Sequence, residues 1–256
     1  MRDSAGRPNL LSSLIILAIC LFIISPTYGQ ESLINIYAVG DSITWGQTFG
    51  SGHDYPSLLS KKFSERGLNV RVTNNGISGY AVGDILDEWK QPSQQRILDR
   101  IDLHFVLIML GTNDTRVGDE TPTETYVERM NELVDLFLNI ENSDGSHPQV
   151  ILSLIPPHNS PKDGEYMASN FKDRFIHRDR IPNELNPELI KIAQTKGLLI
   201  VDNYSPIKAE GPDILPDGLH TAQEGNAILA DTWYKTLLPL VDPASCVNKS
   251  IYESMR

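Results

Sequence analysis

The sequence predicts an α/β fold in which a parallel β-sheet is covered by helices on both faces. Five short apolar runs, separated by longer amphipathic stretches, are typical of strands that are buried on both faces. In addition, segments rich in Gly, Asn, Asp and Ser directly follow the first three apolar runs. We therefore expect these segments to meet at the carboxyl edge of the sheet, near a topological switch point.

The order of the elements follows from the same patterns. The predicted strands are residues 34–39, 70–74, 105–110, 149–154 and 198–202. The predicted helices are residues 55–66, 83–100, 123–139, 186–196 and 221–240. Thr221, with Glu224 three positions later, has the pattern of a capping box and predicts the start of the last helix.

Two distant segments carry the groups of a serine hydrolase. Ser42 follows the first apolar run in the segment 40–44, and Asp217 and His220 lie three residues apart near the other end of the chain. A serine hydroxyl needs a base to take its proton. His220 can be that base, and Asp217 can hold its ring in the correct tautomer. Taken separately, each segment is also compatible with a chance turn or a helix cap.

Donors for the oxyanion of an attacked carbonyl are predicted in the loops after the second and third strands. The segment 111–114 offers the side-chain amide of Asn113. In the segment 75–80, Gly79 is the predicted backbone donor, while Gly76 shapes the turn. The alternative is that both are ordinary loops between a strand and a helix, where Gly, Asn and Asp are common.

Together, these four segments resemble the four signature blocks of the SGNH hydrolase superfamily, also called GDSL esterases and lipases. In the first block Ile43 stands where leucine is frequent, which is a mild change. The resemblance implies a flavodoxin-like three-layer α/β/α sandwich with a mainly parallel five-stranded sheet. It also implies a nucleophile, Ser42, a triad completed by Asp217 and His220, and an oxyanion hole formed by the N–H groups of Ser42 and Gly79 and the amide of Asn113.

The N-terminal segment has the pattern of a signal peptide. Arg2 and Arg7 precede a mostly apolar stretch over residues 10–24, and small residues follow up to Gly29. We predict a signal peptide over residues 1–29, a catalytic domain over residues 30–256, and a secreted or periplasmic protein without stable membrane insertion after processing. An uncleaved anchor is the alternative, although the run is shorter than the roughly 20 residues that span a bilayer.

Cysteine content and charge exclude several classes. Removal of residues 1–29 takes Cys20 and leaves Cys246 alone, so no internal disulfide is expected. The six histidines show no metal-ligand spacing, and neither a metal nor a cofactor is expected. The net charge of −11 becomes −12 when Arg2, Arg7 and Asp3 leave together. Such an acidic surface repels phosphate backbones, so nucleic acid is not expected as a partner.

The substrate class is less constrained, because the fold alone does not determine it. Export argues against acyl-CoA, because acyl-CoA is cytosolic. A compact chain without a long hydrophobic lid favours a small acyl ester or an acylated carbohydrate, including O-acetyl groups. A lysophospholipase, an acyltransferase to a sugar acceptor and an inactive binding module are the alternatives.

Three residues are predicted to bind substrate. Trp45 and Tyr80 closely follow two of the catalytic blocks and are expected to wall the pocket. His158 lies in the long, polar and aromatic segment 156–182, a length that is typical of a lid or of a binding-site lining. The alternative for His158 is an ordinary surface position.

Overall fold

A five-stranded parallel sheet lies at the centre of the fold. The computed structural model describes residues 32–47, 52–158, 177 and 179–242. Its strands are β1 (Ile34–Gly40), β2 (Val70–Gly76), β3 (Phe105–Met109), β4 (Gln149–Ser153) and β5 (Leu199–Val201). They pair in the order β2-β1-β3-β4-β5, and every pair is parallel. The predicted α/β class and all five predicted strands are confirmed.

Both faces of the sheet are buried, which explains why its strands are apolar without interruption. In β1, Ile36 and Ala38 belong to one hydrophobic cluster, whereas Tyr37 and Val39 belong to the other. Residues of β3 divide between the two clusters in the same alternating way. This division follows from the two-residue period of a strand.

Helices cover both faces and complete three layers. They are α1 (Ser42–Trp45), α2 (Tyr55–Glu65), α3 (Val82–Trp89), α4 (Pro92–Leu98), α5 (Thr123–Leu138), α6 (Asn186–Lys196), α7 (Tyr204–Glu210) and α8 (Gln223–Val241). Residues of α3, α5 and α6 fill one hydrophobic cluster, and residues of α2, α7 and α8 fill the other. The predicted three-layer sandwich is therefore confirmed.

Two details of the predicted helices are wrong. The single helix predicted over residues 83–100 is broken into α3 and α4 at Gln91, whose ψ is 141°. The break occurs there because Pro92 disfavours a helical conformation in the residue before it. The predicted capping box is also absent: α8 begins at Gln223, and the Thr221 hydroxyl donates to Asn226 Oδ1 at 2.7 Å.

Some predictions concern residues outside the described part of the chain. These are the signal peptide over residues 1–29, Cys246, and most of the segment 156–182. The described residues from Leu33 to Asp242 belong to one compact unit. Among the described residues, no helix has both the length and the apolar character needed to cross a membrane.

The strand order brings three loops together at one edge of the sheet. After β1 the chain adds β2 on one side of it and then β3 on the other, so β1 marks a topological switch. In register, Gly40 at the end of β1 pairs with Gly76 of β2 and with Met109 of β3. The loops that leave these three strand ends are consequently neighbours, as expected for the ligand-binding edge of such a sheet.

Candidate active site

Three polar side chains form a continuous hydrogen-bonded row at this edge. Ser42 Oγ lies 2.8 Å from His220 Nε2, although the two residues are 178 positions apart. On the other side of the ring, His220 Nδ1 lies 2.6 Å from Asp217 Oδ2. An ionised carboxylate only accepts hydrogen bonds, so Nδ1 carries the proton and Nε2 is left to accept from the Ser42 hydroxyl. This is the arrangement that a general base requires.

The 217–220 loop orients its own carboxylate. Asp217 Oδ1 accepts from the backbone N–H groups of Leu219 at 2.9 Å and of His220 at 2.7 Å. Burial by itself raises the pKa of Asp217, but the hydrogen bonds from the His220 ring and from these two N–H groups outweigh it and hold the pKa below its ordinary value. Asp217 is therefore an anion that can stabilise a protonated His220.

Ser42 is mounted at the junction of β1 and α1. Asp41 caps this short helix, because its Oδ1 accepts from Ile43 N at 2.9 Å. As the first residue of α1, Ser42 has a backbone N–H of the kind that a helix start leaves without an intrahelical acceptor. Burial raises the pKa of Asp41 to about 6, against the lowering effect of the Ile43 hydrogen bond.

The end of β2 packs closely against the turn that carries Ser42 and leads into the loop of residues 77–80. A Cβ added to Gly76 would lie 2.3 Å from Trp45 N and 2.8 Å from Asp41 O, so only glycine allows the approach. Gly79 has a φ of +83°, in the left-handed region that favours glycine. Together, these glycines let the 77–80 loop turn beside the nucleophile.

The loop after β3, residues 111–116, adjoins the 77–80 loop. Asn113 is 6% exposed, and its Nδ2 donates to Tyr80 O at 3.0 Å. Asp114 is fully buried and accepts from Val82 N, the first residue of α3, at 3.1 and 3.3 Å. Burial raises the pKa of Asp114 to about 6, although hydrogen bonds from Thr121 and Val82 lower it. Asn113 thus joins the two loops, and Asp114 holds the start of α3 against the 111–116 loop.

The three residues predicted to bind substrate lie in different parts of the fold. Trp45 ends α1, one turn from Ser42, and is 49% exposed. Tyr80 is partly buried and packs against a hydrophobic cluster, while its carbonyl holds Asn113. His158 lines a cavity of about 480 Å³ together with Leu215 and residues of α7. Ser42, Asp217 and His220 are not among the described residues that line this cavity.

Sequence reasoning missed three residues that support the site. Asp41 and Asp114 directly adjoin Ser42 and Asn113, and an Asp just before a helix is a recognised capping signal. Arg116 contacts both Gly79 O and Asn113 Oδ1, each at 3.0 Å. No local pattern indicated Arg116, because its contact with Gly79 joins positions 37 residues apart.

In the part of the chain that the structure describes, no three His, Cys, Asp or Glu side chains come together in a way that could hold a metal ion.

Known proteins share both the sequence pattern and the fold. A model of the GDSL-like Lipase/Acylhydrolase family matches residues 38–228, a span that includes every segment of the site. The chain is 24% identical over 216 residues to an arylesterase of Vibrio mimicus, covering 84% of this chain and 94% of that protein.

Two solved structures illustrate the likeness in fold. An aryl esterase of M. smegmatis has a TM-score of 0.64 at 20% identity, over 80% of this chain and 98% of the other. Est24, a carbohydrate acetylesterase from Sinorhizobium meliloti, has a TM-score of 0.60 at 17% identity, over 81% of this chain and 99% of the other. At these identities the two structures indicate a common fold and no more.

Proposed function

This chain belongs to the GDSL-like lipase/acylhydrolase family and is a carboxylic ester hydrolase, and from that premise we propose that it cleaves small acyl esters through an acyl-serine intermediate on Ser42. Its natural substrates include O-acetyl groups on carbohydrate. The observation that carries the proposal is the hydrogen-bonded row from Ser42 through His220 to Asp217, with contacts of 2.8 and 2.6 Å.

Acylation begins with attack of Ser42 Oγ on the carbonyl carbon of the ester. As the new C–O bond forms, the hydroxyl proton passes to His220 Nε2, and Asp217 stabilises the imidazolium. The carbonyl oxygen becomes an oxyanion, which accepts from the N–H groups of Ser42 and Gly79 and from the side-chain amide of Asn113. When the bond to the alcohol breaks, His220 returns the proton to the leaving oxygen.

Deacylation repeats these steps with water as the nucleophile. His220 Nε2 takes a proton from water, whose oxygen attacks the acyl carbon, and the same three donors hold the second oxyanion. The bond between the acyl carbon and Ser42 Oγ then breaks, and His220 protonates the serine. The carboxylic acid leaves and the enzyme returns to its starting state.

The exposure of Trp45 supports carbohydrate as the alcohol part of the substrate. Its side chain is 49% exposed and lies one helical turn from Ser42. A large aromatic surface with a polar N–H can cover the apolar face of a sugar ring while the acetyl group reaches the nucleophile. A carbohydrate acetylesterase of similar fold, Est24, is consistent with this substrate class.

A profile of acyl chain length tests the proposed reaction. We expect the purified enzyme to hydrolyse p-nitrophenyl acetate and butyrate, with kcat/KM falling steeply for octanoate and longer esters. Ser42→Ala is the blank and is expected to be inactive on all of them. Equal or higher activity on long-chain esters and on lysophosphatidylcholine would instead support a lysophospholipase. Acyl transfer to added glycans would support a transferase.

Trp45 provides the test of the sugar component. For Trp45→Ala we expect KM for an acetylated xylo-oligosaccharide to rise about tenfold, which is the scale of one aromatic contact. Hydrolysis of p-nitrophenyl acetate should change little, because that substrate carries no sugar. Ile97→Ala is the matched control, since Ile97 is 45% exposed but lies on α4. Equal losses on both substrates would argue against a sugar platform.

We extend the proposal to the maturation of the protein. Cleavage after Gly29 releases residues 30–256 as a secreted or periplasmic enzyme, as the charged start and the apolar run over residues 10–24 predict. N-terminal sequencing of the protein recovered outside the cytoplasm is the test. An intact Met1 on exported, membrane-associated protein would favour an uncleaved anchor.

A further inference from the structure

The guanidinium group of Arg116 lies between the two loops that carry the proposed oxyanion donors. Its Nη2 donates to Gly79 O at 3.0 Å and to Asn113 Oδ1 at 3.0 Å. Its Nη1 donates to Asp119 Oδ2 at 3.3 Å, and the Arg116 side chain is 23% exposed. One planar group therefore contacts a backbone carbonyl of the 77–80 loop and a side chain of the 111–116 loop.

Contacts with Arg116 and with Tyr80 O together fix which way the Asn113 amide faces. A guanidinium carries only donors, so the atom of Asn113 that faces it must be the oxygen. The nitrogen then faces the opposite way, where one N–H donates to Tyr80 O at 3.0 Å. The second N–H remains for a substrate oxygen. With the amide reversed, Asn113 would present an oxygen where the oxyanion needs a donor.

The same nitrogen of Arg116 also couples the position of Gly79 to that of Asn113. Both acceptors lie within hydrogen-bond distance of Nη2, so a shift of either loop lengthens one of the two bonds. Stabilisation of an oxyanion depends on such preset distances, and a displacement of about 1 Å can reduce the rate about 100-fold. The rigid fork of arginine suits this role better than the single ammonium of lysine.

We propose that Arg116 is a positioning residue for the oxyanion hole: together with Tyr80 O it sets the orientation of the Asn113 amide, and it sets the spacing between Asn113 and Gly79. The inference rests on the proposed function, since it gives Asn113 and Gly79 the task of binding the oxyanion. Arg116 acts through these two residues and does not contact the reacting atoms.

A double-mutant cycle tests this role. For Arg116→Met with p-nitrophenyl acetate, we expect kcat to fall about 10- to 100-fold while KM stays within about threefold, because a transition-state interaction is weakened. In the Asn113→Ala background the same change should cost only about threefold, since its main target is already absent. Arg100→Met, at an exposed position just after α4, is the control and should keep full activity.

Further readouts separate positioning from general structural support. Arg116→Lys should retain part of the lost kcat, because lysine can make one of the two contacts. A boronic acid inhibitor, whose bound form carries a negatively charged oxygen, should lose affinity in parallel with kcat. If circular dichroism shows that Arg116→Met does not fold, Arg116→Lys replaces it in the double-mutant cycle. Its smaller loss of kcat should likewise shrink in the Asn113→Ala background.

Two results would overturn the inference. One is wild-type kcat for Arg116→Met; the other is an equal fold loss with and without the Asn113 amide, which an independent structural role predicts. Ser42→Ala separates these results from a failure of the proposed function. If Ser42→Ala keeps its activity, the assignment of the nucleophile is wrong. If it is inactive while Arg116→Met is unaffected, only the inference about Arg116 fails.

Discussion

The 217–220 loop and the pair formed by the 77–80 and 111–116 loops serve one proposed reaction, but they are built in opposite ways. Within the 217–220 loop, Asp217 holds the ring and two backbone N–H groups that lie at most three residues away. The other two loops are joined by contacts between residues 33 and 37 positions apart, Asn113 to Tyr80 and Arg116 to Gly79, and Asp114 holds Val82 at the start of α3 across 32 positions.

This difference separates two ways of preparing a catalytic group. A short loop can set the tautomer and orientation of an imidazole by local hydrogen bonds, whatever the strand order. The proposed oxyanion donors lie in loops that follow different strands. Their positions depend on the sheet, on close contacts at glycine and on bridging side chains such as Arg116. We therefore expect proton transfer by His220 to be lost mainly through substitutions within the 217–220 loop. Stabilisation of the oxyanion should also be weakened by substitutions at residues that do not contact the substrate.

The largest expected effect comes from the local arrangement. In Asp217→Asn, the amide can hold the His220 ring in the wrong tautomer, and kcat should fall about 10,000-fold, as in other triads. KM for p-nitrophenyl acetate should change little, and circular dichroism should show an unchanged fold. A loss of less than about tenfold would mean that Asp217 does not serve as the orienting carboxylate.

The next effect concerns the nonlocal arrangement. Asn113→Ala removes one of the three proposed donors, and kcat should fall about 100- to 1,000-fold. Asn131→Ala is the matched control, because the Asn131 amide donates to Val127 O within α5. Wild-type kcat in Asn113→Ala would contradict a role for the amide in binding the oxyanion.

The smallest expected effect is on stability and concerns Asp114, the buried carboxyl that holds α3 against the 111–116 loop. Its pKa of about 6 in the folded chain lies above the ordinary value of about 4 in the unfolded chain. The Asp114 carboxyl therefore binds its proton more tightly in the folded chain than in the unfolded chain. This stabilises the folded state fully below about pH 4, and the stabilisation is lost as the pH rises through about 6.

Asp114→Asn removes this titration while keeping an oxygen to accept from Val82 N. As the pH rises from about 4 to 7, the wild type loses this stabilisation and the variant does not. The free energy of unfolding of the variant minus that of the wild type should therefore increase by on the order of 1–3 kcal/mol over this range. Urea unfolding at several pH values measures the difference. Asp87→Asn, at an exposed position of α3, is the control. A difference that is constant with pH would show that burial does not shift the Asp114 pKa.

Much of the fold could be predicted because its signals are local. Burial of both sheet faces requires apolar runs such as that of β3, and the five strands were predicted within a few residues. Helix boundaries were less accurate where a single residue decided them: Pro92 ends one helix and begins another, and Ala222 rather than a capping side chain precedes α8.

The chemistry of the site could be predicted only in part. Ser42, Asp217, His220, Gly79 and Asn113 were predicted from the motifs that contain them. Arg116 was not, because an arginine three residues after Asn113 has no distinctive pattern until the sheet places Gly79 O beside it. Trp45 and His158 were both predicted to bind substrate. Trp45 lies at the end of α1, whereas His158 lines a cavity beside α7.

By itself, the sequence determined the layered α/β class, the hydroxyl at the end of the first strand and the acid and imidazole spaced to meet within one loop. These features depend on short-range periodicity and turn chemistry, which neighbouring residues encode. Tertiary structure alone decided that Ser42 and His220 come within 2.8 Å across 178 positions, and that Arg116 spans two loops. Such contacts depend on strand order and close packing, because only a completed sheet brings distant strand ends to the same edge.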